Sequence, residues 1–160
     1  AVVALGVPLY LQLGTIRKQL VPILLSELAG CVVGILSVVY IAKEMGATPD
    51  VIRSLAPKSV TTPIAMEVTK AVGGIPSLTA AVVVCVGLMC AVCGYKTMGF
   101  ARVKSPVAQG LSMGTAAHAL GTATSMDVSR VHGAYASLGL TLNGIFTALL
   151  TPSILPMLNI

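Results

Sequence analysis

Tryptophan is absent from this chain of 160 residues, phenylalanine occurs only twice, and charged residues make up 9%. A soluble domain draws on roughly 25% charged residues to cover its surface, so a water-exposed globule is excluded. The lack of tryptophan leaves a thin aromatic belt for a membrane interface. The few charges are also unevenly spread. Between Lys18 and Lys43 the sole charge is Glu27, between Lys70 and Lys96 there is none, and none follows Arg130. Each gap reaches the ~20 apolar residues that a helix needs to cross a bilayer. Apolar residues supply 56% of the chain and its mean hydropathy is +0.94. These features specify an all-α, polytopic helical membrane protein. The net charge of +5 comes with no basic stripe. It argues against a nucleic-acid partner and reads as the Lys/Arg excess of cytoplasmic loops.

The opening Ala1-Val2-Val3-Ala4-Leu5-Gly6-Val7-Pro8-Leu9-Tyr10 has neither Met nor a charged n-region, unlike a signal peptide. It reads as the tail of a transmembrane helix, with further helices expected upstream and residues 1–160 forming one transmembrane domain. Cys90 and Cys93 form a CxxC, which in a soluble protein would point to redox or metal chemistry. Here the pair lies in an apolar run with no acid or His beside it, so Cys31, Cys85, Cys90 and Cys93 read as packing residues. No metal site is expected.

Helical spans are expected over 20–42 and 75–95, after a helix ending near Ile16 and a basic turn at Arg17 and Lys18. Gly30 and Gly34 form a Gly-x-x-x-Gly that permits close helix packing. A polar, amphipathic stretch covers 43–54, a short helix 63–72, a basic loop 96–104, and a last apolar stretch 133–159 interrupted by Pro152 and Pro156.

Two polar, Pro/Gly-broken segments interrupt this pattern, one around 55–65 and one within 106–126. Backbone groups cannot go unpaired in hydrocarbon, so broken sequence at that depth lines a cavity or is buried in protein. Two such segments in one small chain point to a solute site in a transporter. If 17–18 and 96–104 share the cytoplasmic side, the first segment is re-entrant. Each segment is followed by an apolar helix, and Pro76-Ser77-Leu78-Thr79 echoes Ala136-Ser137-Leu138-Gly139, as a structural repeat would.

In the first segment Pro57 stops any preceding helix. Thr62 is placed to N-cap a new helix with Pro63 at N1. Lys58 adds a positive charge there, and Ser59, Thr61 and Thr62 add hydroxyls, a combination suited to a carboxylate or phosphate. The alternative is a snorkelling lysine beside ordinary capping groups. In the second segment His118 stands between Gly114-Thr115 and Gly121-Thr122, with glycines for close approach and threonines as hydroxyl ligands. His118 could bond a carboxylate or pass a proton; Glu67 and Glu27 are further proton-coupling candidates, although Glu67 could simply pair with Lys70 at i+3. His132 reads as a helix-end residue.

The run Ala56-Pro57-Lys58-Ser59-Val60-Thr61-Thr62-Pro63-Ile64-Ala65, followed by Gly73-Gly74-Ile75-Pro76-Ser77-Leu78-Thr79-Ala80, closely resembles the LrgB/CidB membrane family. Ser105-Pro106, Gly114-Thr115-Ala116-Ala117-His118 and Gly121-Thr122-Ala123 match its second motif, and the resemblance spans essentially the whole chain. It implies a non-enzymatic protein of the bacterial cytoplasmic (inner) membrane, multi-pass, without cofactors and working as an oligomer. Members are described as antiholin-like proteins affecting murein hydrolase activity and lysis. Similar proteins carry small carboxylates, among them the plastidic glycolate/glycerate translocator, with an LrgA/CidA-like small membrane protein as partner. The expected activity is a carrier for glycolate-, glycerate- or pyruvate-like acids, with a holin-like lysis regulator as the rival. Two positions depart from the pattern: Ala117 stands where the family carries Ser, and Gln109 where it carries Arg.

Overall fold

The structure, a computed structural model, describes residue 10 and residues 13–160. The helix tail expected over residues 1–10 falls outside these apart from Tyr10. Seven helices follow: α1 Leu13–Lys18, α2 Leu20–Glu44, α3 Pro49–Leu55, α4 Thr62–Ala71, α5 Pro76–Phe100, α6 Pro106–Val128 and α7 Arg130–Met157. No strand occurs among the described residues. Proline stands in the first turn of α3, α4, α5 and α6, where a missing N–H costs nothing and φ is already helical. Gly46 and Gly73, with φ of 77° and 75°, turn the chain after α2 and α4.

α2, α5 and α7 are long and apolar enough to cross a membrane. At 1.5 Å per residue the 25 residues of α2 reach about 37 Å. Their contacts fix their relative directions. Ile23 of α2 packs with Tyr135, near the start of α7, whereas Val39 and Ala42 pack with Leu155, near its end. Tyr95, near the end of α5, stacks edge-on against His132 at the start of α7. So α2 and α7 run parallel and α5 runs against them.

Both broken segments are hairpins. α3 begins beside the end of α2, the chain is non-helical over 56–61, and α4 returns along α5. Thr69 bonds Thr79 and Ser54 accepts from the Ile75 amide, which brings the chain back to the end it left. In α6 the reversal takes a single residue, His118, with φ 43° and ψ −132°. In an unbroken helix residues 113 and 121 would stand about 12 Å apart, yet Gly121 abuts the Met113 carbonyl too closely to admit a side chain. Met113 accordingly touches Gly94 of α5 while Ser125 bonds the neighbouring Tyr95. One hairpin thus enters from each end of the bundle. The pairing of a hairpin with the long helix after it occurs twice, in opposite orientation.

The ends differ in charge. Arg17, Lys18, Lys96, Arg102, Lys104 and Arg130 gather at one end against Asp127; towards the other, Lys43, Arg53 and Lys70 face Glu44, Asp50 and Glu67. The whole excess of +5 therefore sits at the end from which α6 enters.

Several sequence boundaries need correction. α1 runs through Arg17 and Lys18, with the turn falling at Gln19. The 43–54 stretch divides into the end of α2, a turn and α3. α5 continues to Phe100 because Lys96 alone does not stop a helix. α7 passes unbroken through Pro152 and Pro156. The Pro76 and Ala136 runs are not equivalent either, since one opens α5 and the other lies in the second turn of α7. The repeat lies in the topology, and the sequence echo does not mark it.

Candidate functional site

Between α2, α6, α7 and the 56–61 break lies a cavity of about 600 Å³. Lys58 and Ser59 line it from the break, Glu27 from α2, Thr115 from α6 and Asn143 from α7. Pro57 is fully buried and ends α3, while the N-cap of α4 is Thr61, with no side-chain cap bond. Thr62, expected as the cap, is the first helical residue instead, a shift of one position within the usual scatter of helix ends. The half-buried Lys58 ammonium donates to Ser59 Oγ at 3.1 Å. Among the described residues no acid lies at ion-pair distance from it, the one such pair being Arg53 with Asp50.

Asn143 ties the two hairpins together. Its Nδ2 donates to the Ser59 carbonyl at 3.0 Å and to the Thr115 carbonyl at 2.9 Å. Both carbonyls need an outside donor, because a buried carbonyl that loses its helical partner must be satisfied elsewhere. The regular partner of Thr115 would be residue 119, beyond the reversal at His118. Asn143 is 2% exposed and stands midway along α7. It was missed in the sequence, although Asn143, Thr147 and Thr151 recur at i+4 inside an apolar helix. Polar groups so spaced in such a helix mark an inward-facing stripe. On the opposite wall, the two Glu27 oxygens lie 2.8 and 2.6 Å from Thr115 Oγ1.

His118 is not part of this cavity. It pins the tip of α6 to α5, its Nε2 donating to the Val83 carbonyl at 3.0 Å. The ring fits because Gly87 has no side chain; a Cβ there would lie 2.7 Å from Cε1. His118 lines a separate, largely apolar groove of about 980 Å³ with Thr61 and Thr62. The expected single site around Lys58 and His118 is therefore split, with Lys58, Ser59, Thr115 and Glu27 on one cavity and His118, Thr61 and Thr62 on the other.

Of the remaining candidates, Gly114 packs α6 on α7 and Gly121 packs the two arms of α6 on each other. Gly114 and Gly121 sit where a Cβ would strike the Ala136 and Met113 carbonyls. Thr122, fully buried, donates to the His118 carbonyl at 2.9 Å and so covers the backbone of the reversal. Glu67 is exposed and makes no ion pair with Lys70. His132 does lie at a helix end, where it bonds Gln109 and the capping Ser129. Gln109 also donates to the Val103 carbonyl, so this departure from the family pattern fastens a turn outside the cavity. Gly30 packs on the Thr115 methyl, and Gly34 faces the cavity. Cys31 is buried, Cys90 half-buried, and Cys85 and Cys93 lie on the outer face of α5.

The model of the LrgB-like family matches residues 1–157. This chain belongs to the LrgB-like family. Among its LrgB-like relatives, a Haemophilus influenzae protein named only "Uncharacterized protein" is 39% identical over 99% of this chain and 68% of its own length. Proteins named "Antiholin-like protein LrgB" in Bacillus cereus and Bacillus anthracis are 33% identical over 99% of this chain and 69% of theirs. No solved structure matches the LrgB-like chain.

Proposed function

We propose that this LrgB-like chain is an antiholin-like membrane protein at the level of its family, and that its cavity binds a small carboxylate. The first half rests on the names its relatives bear, which back it better than they back a carrier. The second rests on one observation: Lys58 stands unpaired among the described residues, on a cavity where two hairpins from opposite ends meet. A cation left without an acid inside such a fold favours an anionic guest. Hairpins inverted about the midplane are the arrangement in which carriers hold solutes. Lys58 takes the carboxylate, and Ser59 and Thr115 offer hydroxyls beside it. A purely holin-like role would need associating helices but no such cavity.

In this reading the protein is a multi-pass protein of the bacterial inner membrane, the end bearing Arg17, Lys96, Arg102 and Arg130 faces the cytoplasm, and an LrgA-like small membrane protein and further copies of the chain complete the assembly. The test is uptake of labelled pyruvate and glycolate by proteoliposomes, with and without the small partner. Saturable uptake that Lys58→Ala weakens roughly ten- to a hundredfold supports the carrier reading. No uptake in either preparation, together with altered murein hydrolase release in cells lacking the protein, supports lysis regulation alone.

A further inference from the structure

Three short contacts converge on one hydroxyl. Thr115 Oγ1 lies 2.8 and 2.6 Å from the two Glu27 oxygens and 2.7 Å from the Leu111 carbonyl oxygen. A threonine hydroxyl has one proton to give, and all its neighbours here are acceptors while Glu27 is ionised. A proton on Glu27 resolves the conflict. The carboxyl O–H then donates to Thr115 Oγ1, and the Thr115 O–H donates to Leu111. Without that proton the hydroxyl must turn to the carboxylate, and its oxygen is left 2.7 Å from the Leu111 carbonyl oxygen with no proton between two acceptors.

Among the described residues the surroundings supply no substitute cation. Glu27 is 3% exposed. From α6 it meets Thr115, and from α7 the backbone at Gly139, where a Cβ would lie 3.3 Å from Oε1. On α2 itself Cys31 is one turn away, and Lys58 is across the cavity and makes no ion pair with it. The Thr115 carbonyl is held by the same Asn143 amide that holds Ser59, next to Lys58. The proton's position and the solute cavity therefore meet in one residue.

We propose that Glu27 is the proton-carrying group of this cavity, its bound proton deciding whether the Thr115 hydroxyl faces Leu111 or the carboxylate. The proton comes from cavity water and returns to it, and it moves together with the carboxylate solute. The coupling rests on the carrier reading above; the proton site itself does not.

Infrared difference spectra of the purified full chain in detergent, with no carboxylate solute added, read the C=O stretch of a protonated carboxyl group. At neutral pH the band is expected in the wild type, lost in Glu27→Gln, and kept at a shifted frequency in Glu27→Asp. A wild type without it, or a band that Glu27→Gln leaves unchanged, overturns the proton site. In proteoliposomes with labelled pyruvate or glycolate outside, an inward acid gradient should speed wild-type uptake several-fold, and Glu27→Gln should lose that acceleration. Acceleration that survives Glu27→Gln overturns the coupling. Wild-type vesicles that take up neither probe while the band is present support the proton site and overturn the carrier reading.

Discussion

The two chain breaks solve the same problem in opposite ways. At 56–61 the interruption takes several residues, and the side chains of Lys58 and Ser59 open onto a cavity. At His118 the reversal takes one residue and is sealed: Thr122 covers the His118 carbonyl, Asn143 takes that of Thr115, and the imidazole itself holds Val83. The wide break has a lysine with no acid beside it, while the narrow one has its freed groups met by protein. A break that binds a guest must leave groups unspent, whereas one that only turns the chain must leave none. The comparison assigns chemistry to the first hairpin and architecture to the second.

Asn143 gives the sharpest way to break this contrast, because it serves both sides. Asn143→Leu keeps the branching and the number of heavy atoms and removes both donors, leaving two buried carbonyls at about 1–3 kcal/mol each. It is expected to lower stability more than substitution at Lys58, Gly87 or His118, read as the midpoint of denaturant unfolding in detergent. A midpoint equal to the wild type would mean that the hairpins do not depend on this bridge.

Lys58 comes next and should behave differently. Losing a charge-assisted hydrogen bond costs on the order of 1.5–3 kcal/mol, or roughly ten- to a hundredfold in affinity. Lys58→Ala is therefore expected to weaken pyruvate or glycolate uptake by that factor while leaving unfolding and membrane insertion intact. Lys58→Arg should restore only part, because a planar fork does not reproduce a compact ammonium. Uptake by the Ala variant equal to wild type at limiting solute would reduce Lys58 to a snorkelling residue.

Gly87 probes the sealed side. A methyl group there meets the His118 ring at 2.7 and 2.8 Å, and overpacking of this kind costs about 1–3 kcal/mol. Gly87→Ala should lower stability accordingly, whereas Gly99→Ala, which enters open space, should not. Equal effects at the two glycines would show that the imidazole is not seated against α5.

Much of this architecture was legible in the residues. Charge gaps located α2, α5 and α7, and Pro57 with the Thr-Pro start at Thr62 and Pro63 located the first break, because these signals act within one or two turns. The second break was legible as a segment but not as a point. Nothing local distinguishes His118 from its neighbours as the reversal; the glycines that permit it, Gly87, Gly114 and Gly121, do so by admitting distant backbone and side chains. The partition of site residues was hidden for the same reason. Sequence placed Lys58 and His118 in two polar runs, but which cavity each faces depends on how the hairpins pack on α7. Asn143 shows the limit most clearly, since its two partners are 84 and 28 residues away.

The smallest predicted effect separates the backbone of the narrow break from its side chain. His118 has φ 43° and ψ −132°, a region that non-glycine residues occupy only under constraint, at a cost of order 1–3 kcal/mol. His118→Ala and His118→Gly both lose the imidazole bond to Val83, which contributes about 0.5–1.5 kcal/mol net. Alanine keeps the strained backbone and glycine relieves it. Against that relief stands the greater freedom of glycine in the unfolded chain, about 0.5–1 kcal/mol. The balance leaves His118→Gly more stable than His118→Ala by about 1 kcal/mol, read as the difference between their unfolding midpoints. If the alanine variant is equally or more stable, the reversal at His118 is not strained, and the imidazole bond alone accounts for the residue at this position.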